Sequence, residues 1–336
     1  VIKYLGSKRT LLPRILDCVR SIREDGTVVD LFSGTSRVGH ALKGAGYRVL
    51  ANDNAHYAAT LAGCYVAADR EDVEREVLDA LAHLSAIEPA AGWFTRTYCE
   101  ASRYFHPTNG ARIEAIRTEI ETMNLRRPVR DVVLTSLLEA ADRVDSTTGV
   151  QMAYLKQWAP RALRPLALRM PDVLPRAASG AGGVTRLDAL EAARALRGHV
   201  AYLDPPYNQH KYLGNYHVWE TLVRWDDPEV YGVACKRVDT RTQKSPFNSR
   251  PQFRGAFDAL VDAIDCDALV VSFSDEGFLH RDCIEEILRR RGRVEVHACA
   301  FRRYVGARIG IYNPEGQKVG RVSHTENTEL LFVVRR

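Results

Sequence analysis

Residues 27–54 constrain the fold most. Thr27, Val28 and Val29 open a β-branched run that ends near Leu31, and the small-residue turn Ser33-Gly34-Thr35-Ser36 follows it. The next residues, to about Lys43, predict a helix. Residues 47–51 predict a second strand, closed by Asn52-Asp53-Asn54. Strand, turn, helix and strand in that succession form the repeating unit of a parallel α/β sheet. From about 70 to 170 the pattern changes. Ile113, Ile116, Ile120 and Met123 recur at helical spacing behind Asn109 as a helix N-cap, and residues 132–144 continue in helical style. Residues 177–183, Ala-Ala-Ser-Gly-Ala-Gly-Gly, read as a flexible linker at a boundary. Strand signals resume at 184–186, 199–203, 268–273, 294–301 and 329–334. A helix is expected over about 276–291 and a hairpin turn at 311–316. The expectation is one α/β sheet split in sequence by a helical insertion.

Composition removes several classes. The 336 residues are 46% hydrophobic and 26% charged, ordinary for a globular chain rather than a disordered or fibrous one. No apolar run nears the roughly 18 residues of a membrane span, and no signal-peptide core follows the N-terminus. Seven cysteines form no CxxC pair, which suggests reduced thiols in a cytoplasmic chain. The ten histidines show no metal spacing, so no metal is expected. The net charge of +5 is mild, but residues 236–254 alone net +5: Lys236, Arg237, Arg241, Lys244, Arg250 and Arg254 against Asp239. By itself such a run reads as a solvated loop.

The sharpest motif is Asp204-Pro205-Pro206-Tyr207, directly after the strand-like residues 199–203. A tight turn accounts for the prolines, which fix φ and force extended geometry before them. It accounts for neither the acid before them nor the aromatic after them. In a parallel sheet, the carboxyl ends of strands are where ligands bind. There the Asp204 carboxylate and Pro205 carbonyl would be two fixed acceptors beside the Tyr207 ring, which suits a planar ring carrying an exocyclic amine. A second motif runs from Asp30 through Phe32, Ser33 and Gly34 to the start of a helix, where a backbone can approach a ligand closely. It is not GxGxxG, so a nicotinamide dehydrogenase is disfavoured. Asp53, at the end of the second strand, can accept from both hydroxyls of a ribose.

Together the residues Lys3-Tyr-Leu-Gly-Ser-Lys8, Asp30-Leu-Phe-Ser-Gly34, Asn52-Asp53 and Asp204-Pro-Pro-Tyr207, in that order, resemble the DNA adenine-N6 methyltransferases of the alpha motif order, the Dam-type family. The resemblance covers about 1–60 and 183–336. It implies a Rossmann-like S-adenosylmethionine-dependent methyltransferase sheet with a helical insertion. Residues 1–88 and 183–336 would form the catalytic domain, and 89–182 the target-recognition region. Tyr4, Gly6 and Lys8 would lie near the methionine part of S-adenosylmethionine, with Lys8 available for its carboxylate. Asp30, Phe32, Ser33 and Gly34 would pass beneath the methionine moiety. Asp53 would hold the ribose and Asp188 the adenine amine. Ser36 and Arg37 depart from the glycine-rich usage of the family at that turn.

The chemistry agrees. The adenine amine is a poor nucleophile because its lone pair is delocalised into the ring. Hydrogen bonds to Asp204 and the Pro205 carbonyl would pull the nitrogen towards tetrahedral geometry and free the pair for attack on a sulfonium methyl. The base must leave the duplex to reach the pocket, where Tyr207 would stack on it. Double-stranded DNA as partner gives Lys236, Arg237, Arg241, Lys244 and Arg250 a role at phosphates. Base reading would fall to the insertion, or to a basic hairpin around Arg302, Arg303, Arg308, Lys318 and Arg321. A cognate restriction endonuclease is a candidate partner, and a monomer is expected because one chain carries every part. Cytosine N4, an RNA base amine, or binding without turnover are the rival readings. His210 and His217 read as surface residues, Trp219 and Trp225 as core, and Arg289-Arg-Arg291 as a helix terminus favouring cations.

Overall fold

The structure, a computed structural model, describes residues 2–208, 212–302, 311–312, 318–320 and 326–336. Seven strands form the main sheet: β1 Thr27–Asp30, β2 Arg48–Asn52, β3 Gly183–Thr185, β4 Arg197–Leu203, β5 Asp265–Ser274, β6 Arg293–Arg302 and β7 Glu326–Arg335. Their order is β3-β2-β1-β4-β5-β7-β6. The first five are parallel, while β7 runs antiparallel between β5 and β6. The chain winds from β1 out to β3, then returns to lay β4 against the other side of β1. Asp30 consequently pairs in register with Tyr202. A crevice opens at the carboxyl ends where the winding reverses, the usual ligand position in open α/β sheets.

Alternation along the strands buries both faces. Val29, Leu269, Val271 and Phe273 face helices α7 (Ala189–Ala195), α9 (Arg250–Ala263) and α10 (Arg281–Arg289). Val28, Val200 and Val270 face α1 (Leu12–Ile22) and α2 (Arg37–Gly44). Strands covered on both sides read as continuous apolar runs, and for that reason residues 268–273 are so plain in the sequence.

A third core joins α3 (His56–Ala62) and α4 (Arg70–Ala86) to α5 (Pro107–Thr122), α6 (Arg127–Arg143) and α8 (His217–Arg224). Ile113, Ile116 and Ile120 are buried in it, as their spacing predicts. The helix begins earlier than expected, however. His106 is the N-cap of α5, and Asn109 is buried inside the helix. Its amide donates to the carbonyls of Ala162 and Arg164 at 2.9 Å each, and its Oδ1 accepts from Leu166 N at 3.0 Å.

Residues 177–183 also depart from expectation, because they are docked rather than loose. Ser179 accepts from Gly26 N and donates its own amide to Gly46 O, both at 2.9 Å. A side chain at Gly182 would lie 2.5 Å from the Val66 carbonyl, so glycine here serves close approach. Helix α10 starts later than predicted because residues 275–278 are tied back, with Gly277 N donating to Ser274 O and Phe278 N to Tyr207 O. Ile311–Tyr312 pairs antiparallel with Lys318–Gly320, as a hairpin requires. Its turn, with Arg303, Arg308 and Arg321, lies outside the described residues. So does His210.

Asn109 provides a stability test. Loss of an N-cap costs about 1 kcal/mol, whereas leaving buried carbonyls and an amide unpaired costs about 2–3 kcal/mol or more. Denaturant unfolding of Asn109→Ala should show the larger loss.

Candidate active site

The crevice forms one continuous cavity of about 460 Å³, within the range of small-molecule and cofactor sites. Segments far apart in sequence line it. Tyr4, Gly6 and Lys8 come from the N-terminus, Asp30, Phe32, Ser33 and Gly34 from the end of β1, and Asp53 from the end of β2. Asp188 precedes α7, and Asp204 and Pro206 follow β4. Pro205 is buried beneath them. Tyr207 packs on Phe273 with ring centroids 5.3 Å apart.

The turn after β1 forms despite its unusual residues. Ser36 adopts the left-handed conformation, φ +57°, with Arg37 opening α2. Gly34, at φ +51°, presents its amide to Asp53 Oδ2 at 2.9 Å, and Ala55 N donates to Oδ1 at 3.1 Å. These bonds fix the Asp53 carboxylate and leave it lone pairs for hydroxyl donors. Burial pushes Asp53 up to about 6, against the pull of the two amides. Asp188 caps α7, accepting from Leu190 N at 2.9 Å, and is exposed enough to use its second oxygen.

Lys8 is where the site differs from its sequence expectation. Its ammonium is already paired with two carboxylates of the chain itself. It lies 3.0 Å from Asp204 Oδ1, donates to Glu329 Oε1 at 2.6 Å, and sits 5.6 Å from the Tyr207 ring centroid. Burial works against the charge, but Asp204 and Glu329 outweigh it and hold Lys8 well above its ordinary value. Burial also raises Asp204 to about 6, with Lys8 opposing and Glu329 adding to the rise. Glu329, on β7, accepts a further bond from Ser272 at 2.6 Å. Sequence reasoning passes over it. The signal is a charged residue entering a strand whose next five residues are apolar.

Asp30 completes the acidic wall. Both of its oxygens are buried without a hydrogen-bond partner. Burial, then Asp204 and Asp53, push it up to about 8; the nearby Phe32 and Gly39 amides oppose this without reaching bonding geometry. Glu220 likewise goes unmarked in the sequence. It accepts from Tyr57 N at 3.2 Å, lies 2.6 Å from His56 Nδ1, and thereby anchors the start of α3 beside Asp53. Among the described residues no three metal-ligating side chains gather into a metal site.

The basic tract is divided. Lys244 is exposed and lines the cavity. Arg241 is exposed and stacked 3.7 Å from the Tyr231 ring centroid, and Arg250 is exposed at the start of α9. Lys236 is half-buried in a two-residue strand. Arg237 is 1% exposed, and this corrects its expected phosphate role. Its guanidinium donates to both oxygens of Asp226, at 2.6 and 2.8 Å, and to Asp239. A paired, buried guanidinium cannot reach a phosphate without breaking that network. His217, expected at the surface, is fully buried, with Nε2 2.9 Å from Gln151 O. Trp219 is core, and Trp225 packs against it. Arg289, Arg290 and Arg291 bind Glu285, Asp258 and the Val261 and Cys266 carbonyls, a structural role.

An α/β sheet of this order, with an acid, Asp53, directly after β2 and an Asp-Pro-Pro-Tyr turn after β4, is the arrangement of an S-adenosylmethionine-dependent methyltransferase. Residues 4–285 match the D12 class of N6 adenine-specific DNA methyltransferases, and the chain belongs to that family. It is 30% identical over 313 residues to the Type II methyltransferase M.NlaIII of Neisseria lactamica, covering 90% of this chain and 92% of that one. To the Type II methyltransferase M.FokI of Planomicrobium okeanokoites it is 30% identical over 331 residues, 90% of this chain but 49% of that protein. To M.CviAII of Paramecium bursaria Chlorella virus 1 it is 28% identical over 304 residues, 88% and 90% of the two chains. Membership sets adenine N6 in DNA above the cytosine, RNA and non-catalytic readings.

The Lys8–Asp204–Glu329 cluster makes a prediction. Glu329→Gln keeps the Ser272 partner but removes one charge from Lys8. Methyl transfer should fall about 10-fold or more in kcat, while cofactor affinity and the thermal midpoint stay close to wild type. A loss confined to the midpoint would give Glu329 a packing role only.

Proposed function

We propose that the chain methylates adenine N6 at a specific site in duplex DNA through Asp204-Pro205-Pro206-Tyr207, using S-adenosylmethionine held by the wall from Tyr4 to Asp188. The observation that carries this reading is the single cavity that runs from Asp53 and Asp188 to Asp204 and Pro206. One end suits a nucleoside and the other an exocyclic amine. The acids Asp30, Asp53, Asp188, Asp204 and Glu220 line it, with Glu329 behind Lys8, against the cations Lys8, Arg37, Arg186 and Lys244, a balance that suits a cationic ligand. The partnerless oxygens of Asp30 are complementary to an ammonium group.

Bound S-adenosylmethionine supplies a methyl group on a sulfonium, which becomes a neutral thioether when the methyl leaves. The residues of this chain do the rest. Asp204 accepts from one amine hydrogen and the Pro205 carbonyl from the other, so the nitrogen lone pair turns out of the ring plane towards the methyl. Lys8 and Glu329 hold Asp204 in place. The proton released after transfer has an acceptor in Asp204, whose raised value makes it a better base than a solvated aspartate. Tyr207, backed by Phe273, offers a face to the extruded base.

Lys236, Arg241, Lys244 and Arg250 contact phosphates in this scheme, and Arg237 supports the loop that carries them. Asn248 Nδ2 donates to Asn208 O at 2.9 Å, which ties that loop to the residue after the motif. Residues 89–182 serve as the target-recognition region. Type II relatives suggest a cognate restriction endonuclease as partner. Among the described residues no helix is long and apolar enough to cross a membrane. A DNA substrate and seven free cysteines agree with a cytoplasmic location.

Two measurements test the scheme. Because the Asp204 acceptor must be ionised, kcat should fall as pH drops through about 6. Asp204→Asn should lose about 100-fold or more in transfer to duplex DNA; near-normal transfer would refute the mechanism. Neutralising Lys236, Arg241, Lys244 and Arg250 together, with Arg237 left intact, should flatten the salt dependence of DNA binding. The slope should fall by about 0.9 for each phosphate that is no longer neutralised. An unchanged slope would make the tract a solvated loop.

A further inference from the structure

One cation in the cavity has no task in this scheme. Arg37 lines the same cavity as Asp30, Ser33 and Gly34. It is half-buried, its Nε is closed off from solvent without a hydrogen-bond partner, and no ion pair engages it among the described residues. Its surroundings do not favour the charge. Burial and then Arg9 lower its pKa, against weaker support from Tyr65 and Glu139. It also opens α2, and the first turn of a helix repels cations. An unpaired, partly desolvated guanidinium in such a position costs free energy unless an anion arrives to pair with it.

The lysine that the sequence offers for that anion is already engaged, since Lys8 is shared between Asp204 and Glu329. A carboxyl and a guanidinium without hydrogen-bond partners therefore remain in the cavity lining, those of Asp30 and Arg37, along with the hydroxyls of Ser33 and Tyr202. Asp30 Oδ2 would be 3.4 Å from a side chain at Gly39, two residues along α2 from Arg37, so the acid and the helix start are neighbours. An acid and a base that line one cavity complement the ammonium and carboxylate of an α-amino acid.

We propose that Arg37, and not Lys8, binds the α-carboxylate of S-adenosylmethionine, with Asp30 opposite its ammonium. This leaves Lys8 to the Asp204 end of the site. The inference rests on the cofactor occupying this cavity, and the experiment separates the two claims. The full chain is titrated calorimetrically with S-adenosylhomocysteine and with its decarboxylated analogue. Wild type should bind the first about 10-fold or more tighter. Arg37→Ala should weaken S-adenosylhomocysteine by about that factor and leave the analogue within about twofold. Arg37→Gln should do the same, which keeps the test available should the alanine variant fail to show a cooperative melt.

Folded Arg37 variants that bind both ligands like wild type, or lose both equally, would overturn the assignment. So would a carboxylate-dependent loss in Lys8→Met in place of the arginine variants. Wild type binding neither ligand would instead remove the cofactor from the cavity, and the Arg37 assignment with it.

Discussion

The Lys8 ammonium is the group on which the layout of the site depends. It joins three parts of the chain remote in sequence: the N-terminal segment, the turn after β4, and the last strand. A buried cation between two carboxylates is weak as a source of stability, because desolvation offsets most of the attraction. Its value is geometric. Removing Lys8 would leave two buried carboxylates without compensation, and removing either carboxylate would leave the ammonium tethered from one side only. The Asp204 carboxylate is thereby held as an acceptor in a pocket that would otherwise favour its protonated form. The Ser272 hydroxyl extends the same order into β5, directly behind the motif.

The cluster can exist only because the topology brings its members together. Winding outward from β1 and returning to β4 on its other side sets Asp30 against Tyr202, although most of the chain between them is helix and insertion. The final strand enters between β5 and β6, which carries Glu329 to the same end of the sheet as Asp204. Acids thus outnumber cations at the crevice. That balance suits a sulfonium ligand and would oppose a polyphosphate.

Much of the sheet was legible in the sequence because doubly covered strands are unbroken apolar runs and the turns between them use distinctive residues. The place of the site was legible where a distinctive motif or an acid follows a strand: Asp53, Asp204 and Pro206, from two such strand ends, line one crevice. Meaning was lost wherever it depended on a distant partner. Asn109 has the residue type of an N-cap, yet its bonds reach residues 162–166, which no local pattern indicates. The glycines of 177–183 look like flexibility and serve close packing. Glu329, Lys8 and Asp204 meet only in the folded chain, and spacing along a sequence does not encode such a triangle.

Charge suffers most from this limit. Counting residues makes 236–254 a +5 patch, but the Arg237 charge is spent inside the fold on Asp226 and Asp239. Residues 89–182 show the same effect. Of their arginines, Arg117 is buried and donates to the Leu222 and Val223 carbonyls, while Arg126, Arg130 and Arg161 are paired with Glu76, Glu121 and Asp145. A basic composition can therefore arise from arginines that bind α8 and the loops together. An electrostatic footprint for DNA has to be drawn from what stays accessible. On the segment that follows the motif, Arg241, Lys244, Arg250 and Arg254 stay exposed, and Lys244 lines the cavity itself. A phosphate bound there would lie beside the pocket, where a strand must be gripped if one of its bases is to be turned out and held against Asp204.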